Sequence, residues 1–95
     1  MERHLEEIQR KVTPILKRHQ VKRAGLFGSA ARGEMKPSSD VDILVELDRE
    51  KSLLDLVALK LELEEALGVR VDVVEYSVIP SRLEERILRE QVSVL

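Results

Sequence analysis

The chain has no cysteine and no tryptophan, and Phe27 and Tyr76 are its only large aromatic side chains. Without cysteine, neither a disulfide nor a thiolate metal site can add to the core. Any metal must therefore be held by oxygen or by one of the two histidines, His4 and His19. Two aromatic rings provide no stacking platform for unpaired bases. No apolar run approaches the roughly 20 residues of a membrane span, and Met1-Glu2-Arg3-His4 opens an amphipathic stretch, not a signal core. An excess of one charge is missing as well. Sixteen Lys and Arg stand against 18 Asp and Glu, a formal net of −2, whereas a protein that coats nucleic acid carries a basic excess. These absences predict a soluble, cytoplasmic protein with no membrane partner and no strong direct binding to nucleic acid.

What is present fits one domain over residues 1–95, of mixed α+β class. A domain this small buries only about 60 to 65% of the surface its unfolded chain exposes. A second chain, identical or different, is a natural cover for what stays exposed, so a homo- or hetero-oligomer is expected. Leu5, Ile8, Val12, Ile15, Leu16 and His19 recur at three- and four-residue spacings, which predicts a one-sided helix kinked at Pro14. Val21 to Phe27 reads as a strand ended by Gly28-Ser29, and Ser29 to Arg32 as a short helix stopped by Gly33. Lys36 to Ser39 reads as a loop, and Asp40 to Leu47 as a buried strand with a polar mouth. Ser52 caps a helix to Leu67, with Gly68 as its C-terminal cap. Val69 to Glu75 is the third strand, Ile79-Pro80-Ser81 opens a last helix to about Arg89, and Val92 to Leu95 reads as an extended tail. The order is helix, strand, short helix, strand, helix, strand, helix. It predicts a small mixed three-stranded sheet flanked by helices, strands one and two antiparallel, strands two and three parallel.

Asp40 and Asp42 open the second strand two residues apart, so they project from one face about 6.6 Å apart along the backbone. Asp72 is the one charge within Val71-Asp72-Val73-Val74. If strands two and three are neighbours, the three carboxylates meet at one sheet edge. Two carboxylates about 4 Å apart repel by roughly 4 kcal/mol at an effective dielectric of 20. A divalent cation removes that cost, and hard oxygen ligands favour magnesium, with manganese as a substitute. Gly28 lets the backbone approach a phosphate, and Ser29 with the amides that follow can bind its oxygens. Arg32, one turn on, and Ser39, immediately before the acidic pair, are further candidates for nucleotide contact.

Gly28-Ser29, ten residues, then Asp40-Val41-Asp42 resembles the signature of the nucleotidyltransferase superfamily that includes DNA polymerase beta. The wider strings Leu26-Phe27-Gly28-Ser29-Ala30-Ala31-Arg32-Gly33 and Ser38-Ser39-Asp40-Val41-Asp42-Ile43-Leu44-Val45 resemble the minimal nucleotidyltransferases of prokaryotes, including the MntA-type antitoxins that pair with a helical HEPN protein. The resemblance implies ATP as substrate, two magnesium ions held by Asp40, Asp42 and Asp72, and attack of an acceptor hydroxyl on the α-phosphate with loss of pyrophosphate. It further implies an antitoxin that transfers AMP to a tyrosine of a HEPN ribonuclease toxin. The alternatives are a non-catalytic antitoxin that neutralises its toxin by binding alone, and a tRNA-end nucleotidyltransferase. The additional domains with which polymerases and tRNA-modifying relatives grip their substrates find no counterpart in these residues, so templated polymerisation is not expected.

Other features take structural readings. His4 and His19 belong to the first helix, and Tyr76 is read as packing. Glu62, Glu64 and Glu65 read as a solvated helix face. Leu53-Leu54 and Leu56-Val57 are too many for one stripe, so they are expected to serve the core on one side and a subunit interface on the other.

Overall fold

A computed structural model describes residues 2–28 and 40–95 of the chain. The first element is α1 (Glu2–Arg18), which runs through Pro14 as one helix. Thr13 Oγ1 donates to the Gln9 carbonyl at 2.7 Å beside the proline. After a turn at Gln20 the chain enters β1 (Arg23–Phe27), and β2 (Val41–Glu46) runs antiparallel to it. Next comes α2 (Leu53–Leu67), opened by a capping box. The Ser52 amide donates to Asp55 Oδ2 at 2.8 Å, and the Asp55 amide donates to Ser52 Oγ at 3.4 Å. That Ser52 amide, with the Ser52 hydroxyl and Lys51, holds the Asp55 carboxyl below its ordinary pKa. Gly68 closes α2 at φ +71°, a conformation natural to glycine, with its amide 2.8 Å from the Glu64 carbonyl.

From there β3 (Val71–Glu75) lies parallel to β2, as a strand–helix–strand unit requires. A 3₁₀ turn at Tyr76–Val78 leads into α3 (Ser81–Glu90). The expected extended tail is instead a fourth strand. β4 (Val92–Ser93) pairs antiparallel with β1, so the order is β3-β2-β1-β4 and the count of three is corrected to four. Two residues carry no strand pattern of their own. Their place comes from the free edge of β1, where Val94 donates its amide to the Ala24 carbonyl at 3.0 Å. The expected short helix at Ser29 to Arg32 lies outside the described residues.

Strand alternation divides the sheet into two faces. Ala24, Leu26, Val41, Ile43, Val45 and Val71 face one way and form the core with Val12 and Leu16 of α1 and Leu59 and Leu63 of α2. Phe27, Asp42, Leu44, Asp72 and Val74 face the other way. α2 is apolar on both sides: Leu59 is 1% exposed, whereas Leu53, Leu54 and Leu61 are 73%, 80% and 58% exposed. Leu59→Ala should therefore cost about 2 to 5 kcal/mol of stability in urea denaturation. Leu54→Ser should stay within about 0.5 kcal/mol of the parent in the same assay.

The C-terminal ends of α1 and α2 are tied by charge. His19 Nε2 lies 2.8 Å from Glu62 Oε1, and the Arg18 guanidinium bonds the other carboxylate oxygen. Glu62 is thus an ion-pair partner and not the purely solvated residue expected from sequence. The His19 hydrogen bond, then the Arg18 charge, depress the Glu62 pKa below its ordinary 4.5. A depressed carboxyl pKa means that the unfolded state binds the proton more readily. The contribution is present above pH 4.5 and is lost as pH falls below it. The thermal midpoint of the parent should fall more steeply in that acid range than that of Glu62→Gln.

Candidate active site

The carboxylates singled out in the sequence reach one region through the register of two parallel strands. Asp42 stands level with Asp72 in the β2–β3 pair, both on the sheet face opposite the core. Strands in such a pair lie about 4.8 Å apart. Asp40 immediately precedes β2 and lines a cleft of about 310 Å³ together with Asp72, Lys60, Glu64, Arg70 and Val71. Asp42 is half-buried, and Asp40 and Asp72 are exposed.

Glycine 28 meets this group from the other side. It follows β1 at φ +73°, in the left-handed region. A Cβ built on it would lie 2.5 Å from Asp42 Oδ2. The turn therefore needs hydrogen at this position twice over: the backbone is in a conformation that L side chains resist, and the space is held by the Asp42 carboxylate. Ser29, Arg32 and Ser39, the other expected nucleotide contacts, lie outside the described residues.

A brace fixes the start of β3, and sequence reading missed it. Glu64 Oε2 accepts the Val71 amide at 3.0 Å, while the Arg70 carbonyl accepts the Val41 amide at 2.9 Å. These bonds tie α2, the entry to β2 and the entry to β3 together, one residue from Asp72 and between Asp40 and Asp42. Glu64 was expected to be merely solvated. Its signal in the sequence is faint: a glutamate four residues before a helix-capping glycine that a strand follows closely. Glu64→Ala leaves the Val71 amide without its partner and should cost about 1 kcal/mol in chemical denaturation, whereas Glu64→Gln, which keeps an acceptor oxygen, should retain most of that stability.

Tyr76 is buried, as its packing role requires. Its hydroxyl donates to Gln91 Oε1 at 2.5 Å, and the Arg23 guanidinium carbon lies 4.1 Å from its ring centre. Burial, opposed by the Arg23 charge, raises the phenol pKa above its ordinary value. A recess of about 370 Å³ lined by Phe27, Leu83, Arg86, Ile87 and Glu90 lies beside α3. Phe27 is the register partner of Asp42. A larger groove of about 690 Å³ between α1 and α2 is lined by Ile15 and Leu61 but by none of the aspartates; size alone does not locate the chemistry.

The matching family model is the nucleotidyltransferase domain, over residues 3–94. This chain belongs to the nucleotidyltransferase domain family. A Methanocaldococcus jannaschii protein that bears the provisional name protein adenylyltransferase is 59% identical over 97% of this chain and 99% of its own length. The protein adenylyltransferase MntA of Thermococcus cleftensis is 44% identical over 95% of each chain. A solved structure assigned provisionally as a minimal nucleotidyltransferase superposes with a TM-score of 0.81 at 43% identity, covering 93% of this chain and 90% of that one. The fold is shared further with a toxin–antitoxin crystallised with AMP-PNP, at a TM-score of 0.78 and 22% identity, over 92% of this chain and 72% of that one. The chain is a nucleotidyltransferase with the mixed α+β fold of the minimal members.

The donor set suits a magnesium–nucleotide complex. Among the described residues, no three His, Asp or Glu side chains form a metal-holding cluster by themselves. Magnesium is commonly held by one or two carboxylates plus substrate phosphates, with water filling the octahedron, and seldom by an all-protein cage. Asp42 and Asp72, level on one face with Asp40 at its edge, offer hard oxygen ligands of that kind. No helix among the described residues is long and apolar enough to cross a membrane.

Proposed function

We propose that the chain transfers AMP from ATP to a hydroxyl of a partner protein, a tyrosine of a HEPN-type toxin, and thereby acts as an antitoxin. One observation carries the reading: Asp42 and Asp72 are level on the open sheet face, with side-chain-free Gly28 pressed against Asp42. The protein adenylyltransferase names of the two relatives support AMP as the transferred group. The toxin–antitoxin of the same fold supports the kind of partner.

In this reading Asp40, Asp42 and Asp72 would hold magnesium, which would supply positive charge against the triphosphate. Gly28, with Ser29, Arg32 and Ser39, receives the triphosphate. The apolar recess at Phe27, Leu83 and Ile87 takes the base, and the exposed leucines of α2 serve as the partner's docking surface. The acceptor oxygen bonds to the α-phosphorus as the bond to the bridging oxygen breaks. Pyrophosphate leaves with that electron pair, and the hydroxyl proton passes to a carboxylate or to water.

Incubation with labelled ATP, magnesium and a HEPN-type partner should label the partner on tyrosine, and magnesium with ATP should raise the thermal midpoint of this chain. Neutralisation of the toxin without ATP, by a protein that labels nothing, would establish a purely steric antitoxin instead.

A further inference from the structure

The cleft at the start of β3 contains two cations with no evident structural task. Lys60 and Arg70 line it beside Asp40 and Asp72. The ion pairs of the described residues join Lys11 to Glu7, Arg18 and His19 to Glu62, Lys22 to Asp48, Arg23 to Glu46 and Arg86 to Glu90. Neither Lys60 nor Arg70 takes part in one. Glu64, the other charged group of the cleft wall, already accepts the Val71 amide. One lysine and one arginine therefore line the same space as the Asp40 and Asp72 carboxylates, and among the described residues neither is committed to an ion pair.

Position gives this space a role. Gly28 approaches Asp42 from β1, and the cleft lies on the opposite side, at β3. Phosphoryl transfer keeps the attacking and leaving oxygens roughly in line, on opposite sides of the reacting phosphorus. With the triphosphate at the Gly28 turn, the acceptor enters from β3. We propose that this cleft is the acceptor subsite, and that Lys60 and Arg70 select a protein hydroxyl flanked by carboxylate side chains. The inference rests on the nucleotidyl-transfer reading above and adds the chemical class of its acceptor.

Carboxylates beside the acceptor would otherwise be repelled by Asp40 and Asp72, and the two cations turn that repulsion into recognition. An RNA end is the less suitable occupant. Tyr76 is buried under Arg23, which leaves Phe27 as the one other large aromatic ring, and the net charge is −2.

The test uses the full chain, magnesium and labelled ATP with three synthetic peptides, each with one tyrosine flanked by Glu, Gln or Lys. The Glu-flanked peptide should be used at least about tenfold more efficiently than the Lys-flanked one, with the difference mainly in KM. Lys60→Glu/Arg70→Glu should reverse that order, and Lys60→Arg/Arg70→Lys should restore it. Arg82→Glu, the same kind of charge change on α3, should leave the order as in the parent. Equal use of the three peptides, an order unchanged in the double reversal, or preference for an RNA 3′ end over every peptide would overturn the acceptor assignment. So would an absence of peptide labelling while magnesium and ATP still stabilise the protein. If that stabilisation and all transfer are both missing, the nucleotidyl-transfer reading itself fails, and the acceptor assignment with it.

Discussion

Asp42→Asn should lower AMP transfer by roughly 10²- to 10³-fold while leaving the fold intact. The magnitude is that of removing one preorganised electrostatic group from a charged transition state. The amide matches the carboxylate in shape, so packing against Gly28 is kept, but it loses the negative charge and one of two hard acceptor oxygens. Asp42 is the member of the group best placed for a large effect. It is half-buried, whereas Asp40 and Asp72 are exposed, and it has Gly28 on one side and Asp72 level with it on the other. The measurements are single-turnover transfer from labelled ATP and the thermal shift produced by magnesium with ATP. Both should fall together, and an unchanged rate would remove Asp42 from the reaction.

Gly28→Ala should be nearly as damaging to activity, for a steric reason. The new methyl group would lie 2.5 Å from Asp42 Oδ2, so either the carboxylate or the turn must move. A displacement of about 1 Å at reacting groups can cost on the order of 10²-fold in rate. The left-handed backbone adds roughly 1 to 2 kcal/mol of strain. Gly68→Ala separates the two effects. Gly68 has nearly the same dihedral, φ +71°, but a Cβ there would meet nothing within 4 Å. It should reduce stability by a similar amount in urea denaturation and leave the rate of transfer close to that of the parent. A comparable loss of rate in the two variants would mean that backbone strain, and not the clash with Asp42, controls the site.

Much of the arrangement of the candidate site was readable in advance because it depends on local chemistry. The Asp40-Val41-Asp42 spacing fixes a shared face, the capped helix after β2 forces a parallel return, and that return sets Asp72 level with Asp42. The missing parts depend on contacts distant in sequence. A strand of two residues has no periodicity to detect, so β4 follows only from the unpaired edge of β1. Glu62 and Glu64 are the same residue type in the same helix, and nothing local distinguishes their partners. One finds His19 and Arg18 at the end of α1, and the other finds the Val71 amide. Propensity cannot tell such partners from water. Ser29, Arg32 and Ser39 belong to the part of the expected site outside the described residues.

β4 also bears on the order in which the molecule can be assembled. Val94 donates its amide to Ala24 and accepts from the Thr13 hydroxyl across 81 positions of chain. The β2–β3 pairing lies within residues 41–75, so its contacts are local by comparison. Closing the far edge of β1 must wait for residues 92–94, and a loop that long is entropically slow to close. Until those residues dock, the β1 edge of the sheet stays open to pair with another strand.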